Sequence, residues 1–134
     1  MIVVDTNIIS YLYLHGEFTD LAEKTFKKDP LWAAPLLWRS EFRNVLALYI
    51  RKKLIALDDA LQIMEEAELL MKGKEYSAAS FHILQLVEQS DCSAYDCEFV
   101  ALARDLGIVL VTMDKHILAS FPDTATRLDH FVAQ

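Results

Sequence analysis

The chain has 134 residues, 54% of them hydrophobic, with a formal net charge of −7 at pH 7 and a pI near 5.0. That is enough apolar material for one domain with its own core, predicted to span residues 1–134. The acidic balance argues against broad nonspecific binding to duplex nucleic acid, and no stretch approaches the roughly 20 apolar residues of a membrane span. Met1-Ile2-Val3-Val4-Asp5 has neither a basic n-region nor a cleavage site, so no signal peptide and a cytoplasmic location are expected. Cys92 and Cys97 lack C-x-x-C spacing and have no partnering His pair, so both are expected to be reduced, small hydrophobic residues.

Ile2 to Asp5 reads as a short buried strand ending in the polar turn Asp5-Thr6-Asn7. Helices fit Ile8–His15 and Thr19–Lys28, the second stopped by Asp29-Pro30. Leu31 to Leu36 carries Pro35 and reads as a brief strand. From Trp38 the residues Phe42, Val45, Leu46, Tyr49 and Ile50 recur at helical spacing, and Arg51-Lys52-Lys53 suits that helix's C-terminus. Asp58 is the expected N-cap of the next helix, which runs to about Lys72 and stops near Gly73. Glu75–Ser77 reads as a small strand and Phe81–Glu88 as a helix. Ser93–Leu106 is the clearest helix, with Ser93 as cap, Asp96 at N3 and Gly107 as the stop. A buried strand over Ile108–Val111 follows, then Thr112-Met113-Asp114 and a short helix to Phe121. The alternation of Leu128, His130 and Val132 predicts an edge strand in the tail. Strands alternating with helices predict an α/β sandwich around a parallel sheet.

Four carboxylates, Asp5, Glu41, Asp96 and Asp114, each stand at or near a helix start. Each alone has a structural explanation as a cap or a first-turn acid. Capping, however, needs only an acceptor, and nothing in it places an acid at or just beyond the ends of two different buried strands. If those strands are parallel, Asp5 and Asp114 sit at the sheet's carboxyl edge, where open α/β sheets place ligands. Two carboxylates about 4 Å apart repel by about 4 kcal/mol at an effective dielectric of 20. A divalent cation relieves that crowding, and an all-oxygen set suits Mg²⁺ or Mn²⁺ rather than zinc.

Val3-Val4-Asp5-Thr6-Asn7, Trp38-Arg39-Ser40-Glu41-Phe42, Ala94-Tyr95-Asp96-Cys97-Glu98 and Leu110-Val111-Thr112-Met113-Asp114 resemble, in order and spacing, the signature blocks of PIN-domain ribonucleases. The likeness is strongest to VapC-type toxins of toxin–antitoxin pairs. It implies a three-layer α/β/α sandwich with a central, mainly parallel sheet. It also implies Mg²⁺- or Mn²⁺-dependent endoribonuclease activity, often on a transfer or ribosomal RNA, with a cognate antitoxin and a homodimer as partners. Carried over by position, Asp5, Glu41, Asp96 and Asp114 are the metal-site acids, and Asn7 and Thr112 the polar residues that support them. Cys97 departs from the alanine usual after the third acid.

Arg39, Arg43 and Lys115 lie near these acids in sequence and are candidate phosphate contacts. His116 is expected on the surface, and solvent exposure is the default for Glu98. Tyr11, Leu12, Leu14, Phe18, Leu21 and Trp38 offer a candidate apolar patch for a partner. Two other functions compete with the nuclease. A signalling receiver would need adjacent acids after its first strand, and Asp5 stands alone. A catalytically silent relative that binds a partner through the same fold has no need to retain all four acids.

Overall fold

The computed structural model describes residues 1–134. Five strands, β1 (Ile2–Val4), β2 (Trp32–Pro35), β3 (Glu75–Tyr76), β4 (Leu110–Val111) and β5 (Ala125–Thr126), form one sheet in the order β3-β2-β1-β4-β5. Every pairing is parallel. Parallel sheets need cover on both faces, and β1, β2 and β4 are accordingly buried throughout.

The helices are α1 (Thr6–Tyr13), α2 (Thr19–Lys28), α3 (Leu37–Arg51), α4 (Leu57–Met71), α5 (Ser80–Glu88), α6 (Ala94–Leu106), α7 (Lys115–Ser120) and α8 (Leu128–Ala133). On one face α6 packs across β1, β2 and β4 and is backed by α5. On the other, α1, α3 and α4 pack against one another and against β1 and β2. The result is a three-layer α/β/α sandwich. Its core runs through Val3, Val4, Trp32, Trp38, Phe42, Phe99, Val100 and Leu110, all shielded from solvent.

The chain leaves β1 for β2 on one side and returns to β4 on the other, so the strand order reverses between β1 and β4. That is the crevice where open α/β sheets bind ligands. The Asp5 amide donates to the Val111 carbonyl at 3.0 Å, which brings the residues after both strands side by side.

Three readings need correction. The tail is helix α8, not an edge strand: Leu128 and Phe131 are buried, α8 packs on α2, and Lys28 Nζ donates to the Phe131 carbonyl at 2.6 Å. Asp58 is a first-turn residue; α4 starts at Leu57, and the Ala56 amide donates to Asp59 Oδ2 at 3.0 Å. The apolar patch expected at the front is mostly drawn into the core, with Tyr11, Leu12, Phe18 and Leu21 only partly exposed. Trp38 and Leu14 are buried, and Tyr11, Leu12, Phe18 and Leu21 pack against the core. The exposed apolar side chains on helices are instead Leu48 on α3, Leu57, Leu61 and Leu69 on α4, Phe81 and Leu84 on α5, and Tyr95 at the start of α6.

Candidate active site

Asp5 follows β1 and caps α1. Its Oδ1 accepts from the Thr6 amide at 2.7 Å, and its Oδ2 accepts from the Thr112 hydroxyl at 2.6 Å. Thr112 Oγ1 also accepts from the Asp114 amide at 3.0 Å, so one buried threonine ties the ends of β1 and β4 together. Asp114 caps α7, with Oδ1 accepting from the Ile117 amide at 2.9 Å. The capping explanation of Asp5 and Asp114 therefore holds. It still leaves lone pairs on both carboxylates.

Glu41 comes from the first half of α3 and accepts from the Thr6 hydroxyl at 2.7 Å. Asp96 sits in the first turn of α6, whose N-cap Ser93 accepts from the Asp96 amide at 3.1 Å. Gly107, with φ of 67°, ends that helix in the left-handed conformation glycine adopts without strain.

All four acids line one groove of about 320 Å³, together with Thr6, Asn7, Asn44 and Val45. No lysine, arginine or histidine lines it, so nothing in the protein's own lining neutralises the acids. Burial pushes the Asp5 carboxyl up to about 7; the bonds from Thr112 and the Thr6 amide pull the other way, and Glu41 and Asp96 add to the rise. Glu41 is raised by burial, opposed by Thr6 and reinforced by Asp96 and Glu98. Asp96 is raised by burial and by Asp114, with Ser93 and His116 opposing. The acids thus destabilise one another's charged forms. They face a common space without closing on it: no three His, Cys, Asp or Glu side chains are grouped tightly enough to form a ready-made metal site.

That donor set, all oxygen and anionic, fits a hard divalent ion that keeps several of its waters. Asp5 is the best-fixed donor, because both its oxygens are already aimed by hydrogen bonds. Asn7 borders the groove with its Oδ1 shielded from solvent and without a protein partner, a polar atom available to a ligand or water.

The six candidate site residues converge here, with Thr112 acting beneath the groove. Two contributors carried weaker signals in the sequence. Thr6 reads as an ordinary cap residue, but its hydroxyl holds Glu41. Asn44 carries no motif of its own, but it stands one helical turn from Glu41 and so shares its face. Glu98 is half-buried and close enough to raise Glu41. His116 is exposed, as expected, and lies within electrostatic reach of Asp96.

Arg39 is not a phosphate contact here. Its Nε and Nη2 donate to Glu75 Oε1 and Oε2, both at 2.9 Å, and Nη1 donates to Glu68 at 3.0 Å. These bonds, with Trp38 Nε1 donating to Glu75 at 2.9 Å, fasten the start of α3 to β3. A larger cleft of about 460 Å³ lies beside this knot, lined by Arg39, Glu68, Lys72 and Glu75 among others. Its charges are of both signs and partly paired with each other, so the acidic groove is the better candidate for chemistry.

Comparison with known proteins gives a consistent result. The family model described as PIN domain matches residues 2–123. Ribonuclease VapC3 of Pyrobaculum aerophilum is 27% identical over 128 residues, covering 93% of this chain and 98% of that protein. The crystal structure of PAE2754 from Pyrobaculum aerophilum is similar with a TM-score of 0.77 at 20% identity, over 98% of this chain and 86% of that one. FitAcB from Neisseria gonorrhoeae matches with a TM-score of 0.77 at 16% identity, over 97% and 99% of the two chains. FitAB bound to an IR36 DNA fragment matches at 0.70 and 17% identity, over 96% and 95%. The solved structures speak to the fold.

Proposed function

The chain belongs to the PIN-domain family, and from that premise we propose that residues 1–134 form one domain acting as a Mg²⁺- or Mn²⁺-dependent endoribonuclease, the toxin of a type II toxin–antitoxin pair. The observation that carries this reading is the groove at the β1/β4 crevice, lined by four acids and by no cationic side chain. The likeness to a protein named Ribonuclease VapC3 supports RNA as the substrate and an antitoxin as partner.

Asp5, Glu41, Asp96 and Asp114 would hold the ion or ions. When bound, Mg²⁺ or Mn²⁺ supplies a water of lowered pKa and a Lewis acid for the phosphoryl oxygens. Thr112 fixes the rotamer of Asp5 and sets Asp114 beside it, and Thr6 does the same for Glu41; such supporting bonds tune a metal site without touching substrate. The four partly buried acids share one groove with no cationic side chain in its lining, so their negative field is focused there. The groove's open side leaves room for a single strand of RNA, for example a loop of a transfer or ribosomal RNA.

The exposed leucines of α3 and α4 offer an amphipathic helix of the antitoxin its apolar contacts. Phe81, Leu84 and Tyr95, on α5 and α6, offer a second apolar area suited to a homodimer. No helix is long and apolar enough to cross a membrane, and the proposed location is the cytoplasm.

Purified protein free of antitoxin is incubated with total cellular RNA and Mg²⁺ or Mn²⁺, beside Asp5→Asn and Asp96→Asn variants. Cleavage that requires the metal and disappears in both variants is the expected outcome. Intact RNA under conditions where metal binding is demonstrable would instead support a catalytically silent, partner-binding PIN protein.

A further inference from the structure

A second cleft, of about 360 Å³, opens beside the acidic groove and shares Asn7 and Val45 with it. Its volume falls within the range of small-ligand sites, about 300–1,000 Å³. It lies between α1, the turn after it and α3, and three of its walls are aromatic: Tyr11, Phe18 and Tyr49. Tyr11 and Phe18 are 5.0 Å apart between ring centroids, inclined at 47°. The polar lining is Ser10, His15 and Thr19, with Glu17 exposed at the rim and Asn7 at the junction of the two clefts.

We propose that this cleft is a base-binding subsite, seating the nucleobase next to the phosphodiester held by the acidic groove, with Tyr11, Phe18 and Tyr49 against its faces and Glu17 accepting hydrogen bonds from its edge. This rests on the nuclease reading above and deepens it. Three features select this occupant. The two clefts share Asn7 and Val45 in their linings, and a base is attached to the backbone within a few ångströms of its own phosphate, so a strand crossing the acids must place a base on one side or the other. Aromatic walls are the general solution for holding unstacked bases of single-stranded RNA. The Glu17 carboxylate at the rim disfavours a second phosphate, and the aromatic walls favour the uncharged base.

The edge chemistry also selects among bases. The Glu17 carboxylate can only accept hydrogen bonds. Guanine presents two adjacent donors, N1–H and the N2 amino group, which match one carboxylate in bidentate fashion. Adenine and cytosine each present an amino group beside an acceptor, and uracil one N–H between two acceptors. Guanine is therefore the preferred occupant and uracil the least favoured.

The test uses wild-type protein with Mn²⁺ and a set of single-stranded RNA oligonucleotides differing only at the nucleotides flanking the cut. Wild type should prefer guanine on one side of the cut by about tenfold or more over uracil. Glu17→Gln, an exposed substitution that leaves the fold alone, should reduce that preference several-fold. Tyr49→Leu should raise KM about tenfold on every sequence, from loss of stacking, with kcat little changed. Circular dichroism and melting confirm that the variants are folded. Cleavage that requires Asp5 but ignores both flanking bases overturns the subsite and leaves the nuclease reading standing. Cleavage kinetics unaffected by Tyr49→Leu, with weaker capture of a bound protein inhibitor instead, would make the cleft a protein-docking surface and also overturn it. The absence of any Asp5-dependent cleavage removes both readings.

Discussion

Replacing Asp5 with asparagine should stabilise the metal-free protein while abolishing cleavage. The Asp5 carboxyl stands at about 7 in the fold against an ordinary 3.8. One pKa unit is about 1.4 kcal/mol, so keeping Asp5 ionised at pH 8 costs the metal-free fold about 4 kcal/mol. Asparagine removes that charge but has one acceptor oxygen where aspartate has two. Either the Thr6 amide (2.7 Å) or the Thr112 hydroxyl (2.6 Å) then loses its partner, at about 1–3 kcal/mol. The net gain is about 1–3 kcal/mol, and at about 4 °C per kcal/mol for a domain of this size Tm should rise by about 4 °C or more. The pH dependence has a definite sign. A carboxyl whose pKa is raised by folding favours the fold below its unfolded value, and that contribution is lost as pH climbs through about 7. Wild type in EDTA should therefore melt lower at pH 8 than at pH 5, and the advantage of Asp5→Asn should shrink at pH 5. Excess Mn²⁺ should reverse the order at pH 8, because only wild type gains stability from binding the ion. Melting curves in EDTA at the two pH values decide the matter. An Asp5→Asn variant that melts below wild type at pH 8, or a gap indifferent to pH, would show that an ionised Asp5 does not cost the metal-free fold its stability.

Thr112→Val keeps the shape of a buried side chain but removes the donor to Asp5 and the acceptor for the Asp114 amide. Cleavage should fall about 10–100-fold and metal affinity with it, measured by RNA kinetics and Mn²⁺ titration. Arg39→Ala should cost about 1–2 kcal/mol in urea unfolding, since it strands the mostly buried Glu75, while leaving metal-dependent cleavage within about twofold of wild type. Gly107→Ala should destabilise by about 1 kcal/mol, read as a shift in urea midpoint, because alanine resists the positive φ that ends α6 although no atom lies within 4 Å of the added carbon.

Much of the fold is legible locally. The β-branched run Ile2-Val3-Val4 can hardly be anything but a buried strand, and Ser93 and Gly107 bracket α6 with the residues its two ends require. The acids were legible because β1 and β4 end in polar turns after apolar runs. What escaped was decided by contacts across the chain. Leu128, His130 and Val132 alternate as a strand would, yet Leu128 and Phe131 sit one helical turn apart and bury against α2, where Lys28 grips the last turn. Lys28 and Phe131 are too distant in sequence for any local pattern to reveal this. Arg39 misleads for a geometric reason: two residues along a helix is a rotation of about 200°, so a neighbour of Glu41 in sequence points away from it and toward Glu75. Asn44, one turn on, follows the same rule in the opposite sense and was legible in principle.

A crystal of the antitoxin-free protein soaked in Mn²⁺, with anomalous scattering collected, bears on the proposed metal site itself. Density should appear in the groove, about 2 Å from an oxygen of Asp5 and within reach of at least one of Glu41, Asp96 and Asp114, with the Thr112 bond to Asp5 intact. A groove free of anomalous density at saturating Mn²⁺, with the four carboxylates turned apart, would contradict it.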